Sequence, residues 1–182
     1  TNFTCLDKNS IKLEKREAFE QSYRDFWTLS KPDVIMLLGW NYILSDSLLD
    51  FYRMNRILVL NLHPALPDSF IGGNAIAQTL EALNSGELTE TGSMIHVVTS
   101  KLDRGMVLDT SRVVLNKELI NNNLKLLETT VKAHEKSLIL NVLFKLSGDH
   151  QKDCLDTYLE DIEPPHKYVP FYRGKVRDVT DI

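Results

Sequence analysis

Asn61 and His63 stand two residues apart at the end of the apolar run Ile57-Leu58-Val59-Leu60. On a strand that spacing starts both side chains from the same face, just before Pro64 turns the chain. An amide and an imidazole so placed can both hydrogen-bond a carbonyl oxygen, and the imidazole can bear or pass a proton near neutral pH. By themselves, Asn and His after a strand are more often turn-forming and satisfied polar groups. Asp103, in Ser100-Lys101-Leu102-Asp103-Arg104-Gly105, is the third candidate, and an Asp close to a Gly is also ordinary turn chemistry. Lys132 and Glu135 lie three apart within a helical pattern and so share a face. On their spacing alone they read as a solvated surface ion pair. His134, His150 and His166 show no ligand spacing with one another or with Cys5 and Cys154, so no metal site is expected.

The elements that must position these groups follow from periodicity. Phe19, Tyr23, Phe26 and Trp27 form one face of a helix over residues 15–29, expected to pack on a sheet. Lys31-Pro32-Asp33 breaks it, and Val34 to Leu38 is a continuous apolar run, the pattern of a strand covered on both faces. Ser45 can cap a short helix through Tyr52, and residues 57–60 form a second buried strand. Strand, helix, strand implies a right-handed crossover between parallel strands. Asn74 is expected to cap a helix striped by Ile76, Leu80 and Leu83 and stopped at Gly86. Residues 93–99 and 106–115 read as an antiparallel hairpin, and 122–146 as a long helix packed through Leu124, Leu127, Val131, Leu138 and Val142 and ended by Gly148. The fold class is therefore α/β with an open, mainly parallel sheet, and ligands of such sheets bind at strand ends.

Composition narrows the functional classes. The 182 residues are 43% hydrophobic and 25% charged, which describes a globular domain with a core. No apolar run approaches the roughly 20 residues of a membrane-spanning helix. A net charge of -4 offers no positive field for nucleic acid or an anionic membrane, so small-molecule partners are expected. Two cysteines make no disulfide framework, which fits a reducing, cytoplasmic setting. The sequence begins at Thr1 without a secretory pattern, as at a processed terminus or a cut.

In order along the chain come Asn61-Leu62-His63-Pro64-Ala65-Leu66-Pro67, Phe70, Gly72-Gly73, Thr91-Gly92 with His96, and Leu102-Asp103-Arg104-Gly105. Over residues 31–148 this order resembles the folate-dependent formyltransferases. Pro64 after His63, with Lys132-Ala133-His134-Glu135, is most similar to the glycinamide ribonucleotide branch; methionyl-tRNA formyltransferases usually have Gly after this His, and formyltetrahydrofolate hydrolases a second His. The resemblance implies an open, Rossmann-like sheet and 10-formyltetrahydrofolate as co-substrate, with no metal needed for formyl transfer. It implies Asn61, His63 and Asp103 as catalytic residues. Leu38, Trp40, Tyr42, Leu44, Leu102 and Asp103 would lie against the folate, and Asn61, Lys132 and Glu135 against the amine substrate. His96 would be a hydrogen-bonded structural residue rather than a proton carrier. Asn41-Tyr42 departs from the Met-Arg common in the family.

Physically, an amine attacking a formyl carbon generates an oxyanion that Asn61 and a protonated His63 would stabilise, with Asp103 supporting the imidazolium and helping move the amine proton. Other acceptors, a nucleotide sugar or an aminoacyl-tRNA, and a noncatalytic folate-binding role are the alternatives.

The family's glycine-rich phosphate loop is not found in residues 1–30, which implies that residues 1–148 are a formyltransferase domain lacking its N-terminal strands and weakly active by itself. Residues 149–167, with Glu163-Pro164-Pro165-His166, read as a linker. Residues 168–182, with Tyr172-Arg173-Gly174-Lys175-Val176-Arg177-Asp178-Val179, resemble the start of phosphoribosylaminoimidazole-succinocarboxamide synthase, a fused second domain. Oligomeric state has no signature.

Overall fold

The computed structural model describes residues 16–147. Gly148, the 149–167 linker and the 168–182 synthase-like segment lie outside the described residues, as do Cys5, Cys154, His150 and His166. In chain order the elements are α1 (Arg16–Ser30), β1 (Val34–Leu37), α2 (Asp46–Met54), β2 (Leu58–His63), α3 (Ala75–Ser85), β3 (Glu90–Val97), β4 (Val107–Val114), α4 (Lys117–Ile120) and α5 (Leu124–Ser147).

The four strands form one open sheet in the order β1-β2-β3-β4. β1 and β2 pair in parallel across α2, as the strand-helix-strand pattern predicts. The next two pairings are antiparallel, so among the described residues the sheet is mixed and its parallel character is confined to the first pair. The reason lies in α3, which does not cover the sheet as a crossover helix. Its Leu80 and Leu83 instead pack with Val113, Ile120, Leu127 and Val131 in a separate core at the end of β4.

Local chemistry sets the boundaries. Ser45 caps α2 by accepting from the Leu48 N–H at 3.1 Å, and Gly86 ends α3 at φ 81°, where a side chain would be strained. Asn74 precedes α3 but makes no side-chain capping bond. β2 runs three residues past the apolar run because β3 supplies partners for Asn61, Leu62 and His63. α4 was not anticipated by periodicity; Asn116 caps it, and Asn123 then caps α5 by accepting from the Leu126 N–H.

Two packed layers flank the sheet. α5 lays Leu138, Val142 and Leu146 against Leu58, Leu60, Ile95 and Val97. On the other face Leu48 and Tyr52 of α2 meet Ile35, Ile57 and Val59, with Trp27 and Leu37 at the margin. Leu124, expected in the α5 stripe, is exposed because it opens the helix ahead of the packed turns.

α1 departs from its sequence reading. Phe26 is 43% exposed, and the only buried residue of the helix is Glu20 at 3%. Phe19 and Tyr23 meet Tyr42 and Trp40 edge to face, so the helix packs on the segment between β1 and α2 rather than squarely on the sheet.

Candidate active site

The ends of β1 and β2 open onto a cavity of about 310 Å³. Its walls are mostly apolar, including Leu37, Trp40, Leu44, Val98 and Leu102, and its polar residues include Asn61, His63, His96 and Asp103. This is the composition of a small-molecule pocket, apolar walls with a few convergent polar groups.

β2 holds Asn61 and His63 on one face, as their spacing predicts. Asn61 lies directly opposite His96 in the antiparallel register, and its Nδ2 sits 3.3 Å from His96 Nε2. A register shift between Ile95 and His96 adds a bulge here, a device that bends a strand and re-aims its side chains. The chain leaving β3 then delivers Asp103 at φ 52°, a left-handed conformation that costs a non-glycine residue on the order of 1 kcal/mol. The Asp103 side chain is buried, 6% exposed. One oxygen, Oδ2, accepts from the Gly72 N–H at 2.8 Å and lies 3.6 Å from His63 Nδ1. The other, Oδ1, lies 3.4 Å from His96 Nε2.

Hydrogen bonds decide where the imidazole protons sit. His63 Nε2 is 2.8 Å from the Phe70 carbonyl, which can only accept, so Nε2 carries a proton and donates. The bare nitrogen of neutral His63 is therefore Nδ1, facing Asp103. His96 Nδ1–H likewise donates to the Val97 carbonyl at 2.9 Å, leaving Nε2 to accept from the Asn61 amide. Burial pushes His96 below its ordinary pKa, more than the Val97 carbonyl and Asp103 pull it up, so it is neutral at physiological pH. A buried carboxylate thus faces two imidazole lone pairs. One added proton turns that repulsion into attraction, which makes the cluster a proton acceptor, while the fixed Asn61 amide keeps its second N–H as a donor.

Trp40, Tyr42, Leu44, Leu102 and Asp103 of the expected folate contacts line the cavity. Leu38 is not among the lining residues and is half exposed. Lys132 and Glu135 also lie away from it. Lys132 Nζ pairs with Glu128 at 2.5 Å on the exposed side of α5, and the hydrogen bond to Glu128 raises its pKa. Glu135 turns inward and accepts from the buried Ser93 Oγ at 3.1 Å. The i, i+3 spacing put them on one face, but separate partners at i-4 and on β3 draw them apart.

Glu20 escaped the sequence reading. It accepts from the Ser45 N–H at 3.1 Å, the Ser45 hydroxyl, Tyr42 Oη at 3.1 Å and Arg16 Nε at 3.2 Å. Its signal was a charged residue in the stripe that also carries Tyr23 and Trp27, at positions 20, 23 and 27.

Comparison with known proteins finds formyltransferases. A protein-family model described as formyl transferase matches residues 2–143. Phosphoribosylglycinamide formyltransferase of Schizosaccharomyces pombe is 31% identical over 121 residues, covering 66% of this chain and 57% of that protein. The trifunctional purine biosynthetic protein adenosine-3 of Bos taurus is 28% identical over 150 residues, 80% of this chain and 14% of that one. The crystal structure of phosphoribosylglycinamide formyltransferase from Bacillus halodurans superposes with a TM-score of 0.65 at 28% identity, covering 80% of this chain and 69% of that one. The chain spans a little over half the length of the S. pombe relative. With a match that spans residues 2–143, well over half of the sequence, the chain belongs to the formyl transferase family.

Proposed function

We propose that this chain carries the reacting centre for transfer of a formyl group from 10-formyltetrahydrofolate to the amine of glycinamide ribonucleotide, a step of de novo purine synthesis. The observation that carries the reading is the convergence of Asn61, His63 and Asp103 at the polar end of an otherwise apolar cavity. The co-substrate's ring would lie against Trp40, Leu44 and Leu102 and its formyl group would reach the polar cluster.

The amine nitrogen attacks the formyl carbon, and the carbonyl π electrons move to oxygen. The free N–H of Asn61 donates to that oxyanion. The nitrogen sheds a proton to the His63–Asp103 pair, where Nδ1 is the vacant position. Collapse of the intermediate breaks the carbon–nitrogen bond to the folate, and the stored proton passes to the departing nitrogen. Atoms and charge balance, and no covalent enzyme intermediate is formed.

Glu135, bonded to Ser93 of β3, and Lys132 belong to this reading as groups for the ribonucleotide. So does the cytoplasmic setting. The likeness of residues 172–179 to the synthase, beside the trifunctional relative, supports a fused second purine enzyme.

The test is formyl transfer by the intact protein to a panel of amines, glycinamide ribonucleotide, a nucleotide amino sugar and methionyl-tRNA among them. Glycinamide ribonucleotide should be formylled at least a hundredfold faster than the others, and His63→Ala should lower that rate about 10²-fold or more. Preference for another amine, or near-normal turnover by His63→Ala, would overturn the assignment.

A further inference from the structure

The segment of residues 40–44 forms one wall of the cavity, yet it is neither helix nor strand. Its shape rests on side chains. Trp40 Nε1 donates to the Tyr42 carbonyl at 2.5 Å, and the Trp40 and Tyr42 rings meet at 89°. Beside the Phe19 and Tyr23 ring contacts, polar anchors come from two residues one turn apart on α1. Arg16 Nη2 donates to the Ile43 carbonyl at 2.8 Å, and its guanidinium lies 5.2 Å from the Tyr42 ring centroid. Glu20 takes the Ser45 N–H and hydroxyl, the Tyr42 hydroxyl and Arg16 Nε, with Arg24 Nη2 at 4.0 Å.

A carboxylate buried inside a helix–loop interface is costly unless its lone pairs are used, and here donors from both elements use them. Burial works against the Glu20 charge, but the Ser45, Arg16 and Tyr42 hydrogen bonds outweigh it and hold the carboxyl below its ordinary value. Burial, then the Glu20 charge, push the Tyr42 phenol upward, so it remains a donor. Because Ser45 also caps α2, the same carboxylate ties α1, the cavity wall and the start of α2 into one unit.

We infer that Glu20 is a positioning residue for the folate subsite: acting through Tyr42 and Ser45, it holds the 40–44 wall at the spacing that a flat heteroaromatic ring requires. This rests on the folate reading above, but its physical core does not. Glu20 touches no reacting atom, so its loss should weaken capture of the co-substrate and spare the chemistry at Asn61, His63 and Asp103. Glutamine is the informative substitution. It keeps the size of the side chain but replaces one acceptor oxygen with an amide donor, which would face donors from Ser45, Tyr42 or Arg16.

Hydrogen exchange of the unliganded intact protein, read by mass spectrometry, tests the positioning claim without reference to function. Glu20→Gln should speed exchange of the Asn41–Ser45 amides roughly tenfold or more, leaving β2 and β3 within twofold. Leu138→Ala, which loosens the α5 core but touches none of these groups, should leave exchange at Asn41–Ser45 within twofold of wild type; a tenfold rise there would show that any destabilisation frees this wall and would overturn the inference. Exchange at Asn41–Ser45 within twofold of wild type in Glu20→Gln would overturn the inference. If that variant does not fold, Tyr42→Phe serves instead, with at least a threefold local increase expected and no increase refuting. In steady-state assays Glu20→Gln should raise KM for 10-formyltetrahydrofolate about tenfold with kcat within threefold; an equal fall in kcat with KM unchanged would refute the role. Failure of the wild type to use the folate would sink the functional reading, and the exchange result would still decide this one.

Discussion

Replacing Asp103 with Asn separates charge from shape at the centre of the site. Asn tolerates the left-handed backbone at φ 52° about as well as Asp. Its carbonyl oxygen can keep the Gly72 N–H, 2.8 Å away in the native protein. Its NH2 group would face the bare nitrogen of His63 or His96, giving a hydrogen bond where a carboxylate now meets lone pairs. Stability should therefore change by no more than about 1 kcal/mol. Catalysis should not survive. A carboxylate 3.6 Å from a protonated His63 Nδ1 stabilises it by about 4–5 kcal/mol at an effective dielectric constant near 20, and the neutral amide forfeits most of this. The loss corresponds to roughly a 10³-fold fall in kcat/KM, within the range of acid–base groups. Initial-rate formyl transfer by the intact protein, alongside urea unfolding, reads both quantities. A variant keeping more than a tenth of the activity would refute the reasoning; so would a rate lost together with several kcal/mol of stability, since that would mark Asp103 as a structural residue.

Other outcomes follow from the same contacts. Because burial lowers the folded pKa of His96 below its unfolded 6.5, the unfolded chain takes up the proton first; His96 thus costs nothing above that value and destabilises the fold progressively as pH falls below it. With His63 and Asp103 facing it in either case, the urea midpoint of His96→Asn should fall less than that of wild type between pH 7.5 and 5, and parallel curves would contradict this. Leu138→Ala, in a fully packed cluster with Leu58, Leu60 and Ile95, should cost about 3 kcal/mol by chemical unfolding, and a loss under 1 would show that the α5 contact is loose. Gly105→Ala would drive a Cβ into the Val97 carbonyl and shift the loop that carries Asp103; soluble, fully active enzyme would be the contrary result.

Elements with strong local signals were readable from the chain alone. Ser45 before an apolar stripe marked α2, Gly86 marked the end of α3, and the run from Val34 marked β1. Where tertiary partners decide, the pattern fell short. β2 continues through polar Asn61 and His63 because β3 pairs with them, and α4 exists through an Asn116 cap on four residues. In α1 the aromatic residues suggested a core-facing stripe, whereas the buried anchor is the charged Glu20, whose partners lie 22 and 25 residues away. In the site, period-two geometry put Asn61 and His63 on one face, but nothing local measures the 40 residues to Asp103. That distance is closed by the β3–β4 pairing, the bulge at His96 and a left-handed residue. Lys132 and Glu135 show the limit of helical spacing: Glu128 and Ser93 compete for them, and the winner depends on the neighbouring strand.

The central claim is that this cavity moves a formyl group onto an amine with His63 and Asp103 handling the proton. Single-turnover transfer from 10-formyltetrahydrofolate carrying a 13C formyl carbon, followed by NMR with glycinamide ribonucleotide present, addresses it directly. The label should appear in a new amide on the ribonucleotide in the wild type, and remain on the folate in Asp103→Asn and His63→Ala. Label released as formate, or transfer that persists in both variants, would contradict the account.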